Sequence, residues 1–206
     1  MAITLYHGSK SGLKGKIQPI SRKLCDFGQG FYMGTSKEQP STLICNYSHS
    51  LLYTLELDDS NLQTVELPLN LDWALFVAYN RGRIPESNQH IISHTLELVK
   101  NADIIKGYIA NDRMYVVLDR FFYGEITDKA LVESLSALKL GIQYVAITQK
   151  ACDSINIISK EKFSAKERNA LTIKSEEHRQ LGISLADQIC RKYRREGNYF
   201  DEIIAE

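Results

Sequence analysis

The chain has 206 residues, no formal net charge at neutral pH, and 44% hydrophobic against 24% charged residues. That length buries a core of its own without metals or disulfides, and zero net charge gives no global pull toward nucleic acid or an acidic membrane surface. No apolar run approaches the roughly 18 residues that span a bilayer. Residues 1–7 lack a charged start followed by an apolar signal core, so a cytoplasmic protein is expected. The four cysteines, Cys25, Cys45, Cys152 and Cys190, are scattered and form no Cys-x-x-Cys pair. Zinc and redox motifs are therefore not expected, and buried free thiols are.

Residues 2–7 alternate apolar and polar side chains and predict a first strand, ending at His7-Gly8-Ser9. A loop rich in Gly, Ser and Lys follows over 10–16; 17–22 is expected to be extended, with Pro19 limiting its pairing. The run Asp26-Phe27-Gly28-Gln29-Gly30-Phe31-Tyr32-Met33-Gly34-Thr35 reads as a glycine turn feeding a short strand at 31–33. Ser36 predicts an N-cap for a helix over 37–47, with Pro40 tolerated in its first turn. Strands are expected at 51–57 and 62–67, with the turn Asp58-Asp59-Ser60-Asn61 between them. A buried helix follows at 71–81, with Trp73, Phe76, Val77 and Asn80 on one face.

A helix is expected at 90–100 and a buried strand at 103–110; the pattern over 112–123 suits a helix or a strand and is read as a helix. Thr127 starts a helix carrying Leu131, Leu135 and Leu138, which Gly141 ends. The last strands are expected at 143–148 and 155–158. From Ser159 onward charged residues dominate and only helices are predicted, at 160–171 and 176–195. Leu181, Leu185 and Ile189 make a narrow apolar stripe that Gly182 weakens. Arg191-Lys192-Tyr193-Arg194-Arg195 is a basic cluster where cations suit the negative end of a helix dipole. The expected fold class is α+β, with one domain over 1–158 and a partly separable helical extension over 159–206.

Three stretches carry candidate chemistry: Leu5-Tyr6-His7-Gly8-Ser9, Gly28-Gln29-Gly30-Phe31-Tyr32 and Ile142-Gln143-Tyr144-Val145. Each places a polar or aromatic group at a strand edge, and glycine lets a ligand approach the main chain. Taken singly, each has a plain structural explanation: a histidine bonding the end of a strand, a core tyrosine, a strand glutamine. Gly28-Gln29-Gly30 lacks the third glycine and the strand-to-helix setting of a dinucleotide fingerprint, and no Lys-Ser/Thr phosphate loop is present. Asp26, Arg22 and Asn111-Asp112-Arg113 are further polar candidates, with turn capping and surface ion pairs as their plainer reading. Asp112 and Glu125 are the next candidates for a third catalytic group.

In this order the three stretches resemble the ADP-ribosyltransferase fold of the diphtheria toxin and poly(ADP-ribose) polymerase clade. That clade draws a His, a Tyr and a Glu from three separate strands. Its signatures L-W-H-G-S, G-x-G-I-Y-F and N-E-Y-I-V-Y are similar to residues 5–9, 28–33 and 142–145, with Tyr6 for Trp, Met33 for Phe and Gln143 for Glu. The pattern also resembles a bacterial family of uncharacterised domains grouped with these enzymes, and it covers residues 2–158.

The resemblance implies a split antiparallel sheet around an NAD cleft, with His7, Tyr32 and Gln143 as catalytic residues. NAD would be the substrate, with no metal. His7 would bond a ribose hydroxyl, the Gly8 main chain would hold the nicotinamide amide, and Ser9 would support either. Tyr32 would stack on the nicotinamide, with Gly30 and Phe31 completing the binding set. Gln143 would bond the nicotinamide ribose and steady an oxocarbenium-like transition state. The implied activity is NAD-dependent mono-ADP-ribosyl transfer, because polymerases elongate with a carboxylate where this chain has an amide. A toxin or defence effector is implied, acting on a protein or nucleic-acid acceptor, with a neutralising antitoxin protein and no membrane as partner. Two other readings stay open: a non-catalytic module binding NAD or ADP-ribose, and a protein acting through its C-terminal helices.

Overall fold

The computed structural model describes residues 2–109, 112–137 and 141–205. Leu138, placed above on a helix face, and the polar candidate Asn111 lie outside the described residues, as do the side chains of Asp112 and Arg113. In chain order the elements are β1 (Ala2–Ser9), β2 (Phe31–Gly34), α1 (Glu38–Ile44), β3 (Leu51–Asp58), β4 (Thr64–Glu66) and α2 (Leu71–Asn80). A 3₁₀ segment (Glu86–Ile92) leads into α3 (Ser93–Val99), β5 (Ile104–Tyr108), α4 (Asp112–Phe122) and α5 (Asp128–Ala137). Then come β6 (Ile142–Ala146), α6 (Gln149–Asp153), β7 (Ile155–Glu161), α7 (Ala165–Lys192) and α8 (Phe200–Ala205). The class is α+β, as the alternating patterns predict.

Helix starts follow local chemistry. The Asn70 side chain accepts from the Trp73 N–H, and Thr148 does the same for Ala151, so α2 and α6 are capped. Ser164 and Glu167 form a reciprocal capping box at the start of α7. Helix α1 departs from expectation: Lys37, not Ser36, is its N-cap and makes no side-chain cap bond. The Ser36 hydroxyl still accepts from the Glu38 N–H at 3.3 Å.

All seven strands form one sheet in the order β4-β5-β6-β2-β1-β3-β7, antiparallel except for the β4–β5 pair. Strands β1 and β3 run in register from Ala2 opposite Asp58 to Ser9 opposite Leu51. Strands β2 and β6 do so from Phe31 opposite Ala146 to Gly34 opposite Gln143. Between these two halves, β1 and β2 meet at one registered pair, Tyr6 opposite Gly34. The sheet is split there.

Side chains alternate between the two faces of a strand. One face carries Val145 and Ile105 into a core with Trp73 and Phe76 of α2, Phe121 of α4 and Leu131 of α5. Trp73 is the chain's one tryptophan. It is fully buried, and its indole nitrogen has no hydrogen-bond partner among the described residues. The other face carries Leu5, Phe31, Met33, Leu55 and Tyr144. Helix α6 and the loop after β1 close that second face. The Leu13 N–H donates to the Tyr53 hydroxyl at 2.9 Å, and the Gln149 amide donates to the Ile17 carbonyl at 2.9 Å.

The C-terminal residues pack into the same core as the sheet. Strand β7 continues past residue 158 to Glu161, paired with β3. Ala186 and Cys190 of α7, with Phe200 and Ile203 of α8, belong to the same core as Trp73. The Phe200 ring packs on Phe121 and Phe122, with centroids 5.4 and 5.5 Å away, and Arg120 pairs with Asp187 at 2.6 Å. The expected stripe misled because Leu181 faces solvent, 68% exposed. Among the described residues the buried positions in α7 are Ala186 and Cys190, with Leu185 and Ile189 only half-buried.

Candidate functional site

His7 lies on β1 beyond the pair that joins the two halves of the sheet. Its ring stacks on Phe31 with centroids 4.3 Å apart. Its Nδ1 is 2.7 Å from the Tyr32 carbonyl oxygen, so the side chain bridges the split. A carbonyl can only accept, so Nδ1 carries the hydrogen. Burial pushes the His7 pKa below the ordinary 6.5, outweighing the opposite pull of that carbonyl. The neutral ring then presents Nε2 as a bare acceptor. Among the described residues no hydrogen-bond partner meets Nε2, so it is free to take an O–H or N–H from a ligand.

Tyr32 sits next along β2, half-buried. Its hydroxyl accepts from the Phe27 N–H at 3.0 Å and donates to the Gly28 carbonyl at 2.8 Å. Burial raises its pKa far above the ordinary phenol value. Tyr32 therefore works first as a clamp holding the 26–28 turn against β2. That turn needs Gly28, whose φ of +79° is a left-handed angle other residues rarely adopt.

Gln143 stands opposite both Gly34 and Gly107 in the sheet, and it is buried. Its Nε2 donates to the Tyr108 carbonyl at 3.0 Å and to Asp26 Oδ2 at 3.2 Å. Asp26 in turn accepts from Arg81, Nε to Oδ1 at 2.9 Å. The Asp26 and Arg81 side chains are 10% and 8% exposed. A buried charge needs a partner and hydrogen bonds; each supplies the other's.

The structure brings His7, Tyr32 and Gln143 onto neighbouring strands, β1, β2 and β6. Strand parity puts His7 and Phe31 on one face of the sheet and Tyr32 and Gln143 on the other, so they meet only across the split. Tyr6 shares the face of Gln143, with Gly34 between them. That gap is covered: a Cβ at Gly34 would meet Gln39 Oε1 at 3.4 Å and Ile109 Cδ1 at 3.9 Å.

Two glycines of the expected binding set have packing reasons of their own. A Cβ at Gly8 would stand 2.8 Å from the Pro40 carbonyl oxygen, where α1 lies on β1. One at Gly30 would stand 2.5 Å from Val145 Cγ1. Ser9, half-buried, lies opposite Leu51. Beyond it Lys10 Nζ lies 4.4 Å over the exposed Tyr47 ring.

Glu125 is elsewhere: it pairs with Arg120 at 3.5 Å and lines a hollow with Thr127, Arg191 and Arg194. A second hollow, lined by Gln89, His90 and Lys100, also lies away from the split. Among the described residues no group of His, Cys, Asp and Glu is arranged to hold a metal ion, and no helix is long and apolar enough to cross a membrane.

No curated protein matches the chain. The family described as protein of unknown function DUF3990 matches it over residues 3–157, from β1 to β7, and so includes every strand that builds the split. The chain belongs to that family.

Proposed function

We propose that this chain is an NAD-dependent mono-ADP-ribosyltransferase, with NAD lying across the split between β1 and β2. The observation that carries the reading is His7. Its Nε2 is an unpartnered acceptor at the point where β1 leaves β2, fixed by a bond to the Tyr32 main chain. A ribose hydroxyl is a donor of the kind that acceptor requires. Tyr32 and Gln143, one and two strands away, are the other groups the reading uses.

In the reaction the bond from nicotinamide to ribose breaks, its electron pair leaves with nicotinamide, and positive charge develops on the sugar. An acceptor nucleophile then bonds to the sugar carbon and releases its proton. Gln143 meets the developing cation with an amide dipole, an interaction that counts most in the transition state. Entry of NAD on the Gln143 face requires Gln39 to swing away from Gly34. The acceptor is a protein or nucleic acid, and a neutralising protein partner belongs to the same toxin or effector reading. A cytoplasmic site of action fits the free cysteines, three of them buried.

The second reading is binding of NAD or ADP-ribose without turnover. It is favoured by the neutral amide at 143 and by the Arg81 charge opposite Asp26. Nicotinamide release on incubation with NAD separates the two. Ligand at one hundred times its dissociation constant should also stabilise the fold by about 2.7 kcal/mol. A melting curve unmoved by saturating NAD would dispose of both.

A further inference from the structure

Gln143 occupies a place where a carboxylate would be repelled. Its two neighbours, the Tyr108 carbonyl and Asp26 Oδ2, are both acceptors, so only the amide NH₂ can face them. That fixes the orientation of the side chain and turns Oε1 away from both. Oε1 has no hydrogen-bond partner among the described residues. Among the described residues the fully enclosed unpaired polar atoms are Trp73 Nε1 and Ser134 Oγ, and Oε1 is not one of them. An amide whose N–H groups donate to an anion and a carbonyl is polarised, and its oxygen becomes a stronger acceptor.

We propose that Asp26 is a positioning residue for Gln143: its carboxylate takes an amide hydrogen, fixes the orientation of the side chain, and leaves a polarised Oε1 facing the ligand. The negative charge of the site sits on the turn before β2, one hydrogen bond behind the group that touches substrate. Arg81 holds Asp26 in place, and Tyr32 and Cys25 are further titratable groups beside it. What Oε1 contacts rests on the nucleotide reading above; the pairing of Asp26 with Gln143 does not.

The test moves the charge. Gln143→Glu puts two carboxylates side by side, and like charges this close share a proton instead of both ionising. Thermal unfolding without ligand should therefore show Gln143→Glu falling further below wild type at pH 8 than at pH 5. Adding Asp26→Asn restores one donor and one carboxylate in exchanged positions. The double variant should lose the excess pH dependence, even though it leaves Arg81 opposite an amide and a carboxylate at position 143 opposite the Tyr108 carbonyl. A single variant that does not fold, beside a double variant that does, supports the same pairing. A pH-independent deficit in the single variant, or an excess pH dependence that survives in the double, overturns it.

With NAD, Asp26→Asn should lower kcat for nicotinamide release at little changed KM in the wild-type background, and lower it no further in a Gln143→Ala background. Equal fold losses of kcat in both backgrounds overturn the claim that Asp26 acts through the Gln143 oxygen. If wild type neither binds NAD nor releases nicotinamide while the stability pattern holds, the positioning of Gln143 stands and only the nucleotide reading fails.

Discussion

The two halves of the sheet are held by different means. On one side of the split, β1 pairs with β3 along its whole length and β7 extends the ladder. On the other, β2 is four residues long and is kept in place by β6 and by side chains that reach into backbone. His7 bonds the Tyr32 carbonyl, Tyr32 bonds Phe27 and Gly28, and Gln143 bonds Tyr108. Continuous main-chain pairing opens only as a cooperative unit, whereas side-chain bonds exchange partners singly. The candidate site lies where the first kind of support gives way to the second.

The strongest way to break the comparison is to remove what lies beneath the weaker half. Truncation after Lys162 deletes α7 and α8 and takes Ala186, Cys190, Phe200 and Ile203 out of the core under β5 and β6. The expected product is insoluble or unfolded; a soluble protein with cooperative melting would show that the sheet stands alone. Phe200→Ala, a milder cut at the same place, should cost about 3–5 kcal/mol in urea unfolding.

Next in size is Gly30→Ala, which drives a methyl group against Val145 and the Ala146 carbonyl where β2 joins β6. A loss of about 1–3 kcal/mol is expected, with hydrogen exchange rising in β2 and not in β3. Equal exchange in both strands would mean that the halves are coupled more tightly than their pairing suggests.

Tyr32→Phe keeps the ring and removes the clamp, leaving the Phe27 N–H and Gly28 carbonyl without their partner. About 1–2 kcal/mol should be lost. If Tyr32 serves NAD through its ring, affinity should change little, and a large fall would assign binding to the ordered turn instead.

The smallest effect concerns His7. Above the ordinary imidazole value both the folded and the unfolded chain hold it neutral. Below that value the unfolded chain takes up a proton that the folded chain, with its lowered His7 pKa, refuses. Stability should fall as pH drops below about 6.5 and level off once the folded value is passed. Subtracting the pH profile of His7→Gln isolates this contribution; identical profiles would mean that burial does not hold the ring neutral. NAD affinity should hold through that window and fall only at still lower pH, once the folded chain itself protonates His7 and Nε2 no longer accepts.

Much of the sheet was legible from alternation, since a strand with one core face writes its period into the sequence. His7 and Tyr32 were legible through the residues around them, and their strands proved to be neighbours. Asp26 was visible only as a polar residue in a glycine turn. Its partners Arg81 and Gln143 lie 55 and 117 residues away, and no local pattern records so distant an ion pair or hydrogen bond. The short helix α6 escaped because it hides between two strands and shows one cap, Thr148. Helix α7 was legible as a helix but not as core. Its buried positions are Ala186 and Cys190, while the larger Leu181 points to solvent.

The burial of Trp73 gives this molecule a built-in spectroscopic reporter. An indole enclosed by apolar side chains, whose N–H meets no acceptor among the described residues, emits at short wavelength until water reaches it. Because Trp73 shares its surroundings with α4, α5, α7 and α8, its emission follows the helical side of the protein and is blind to rearrangement at His7. Eleven tyrosines and the backbone absorb for the rest. Coincident melting by tryptophan emission and by far-ultraviolet circular dichroism would mark one cooperative unit. An earlier tryptophan transition would reveal the helices leaving a sheet that is still intact.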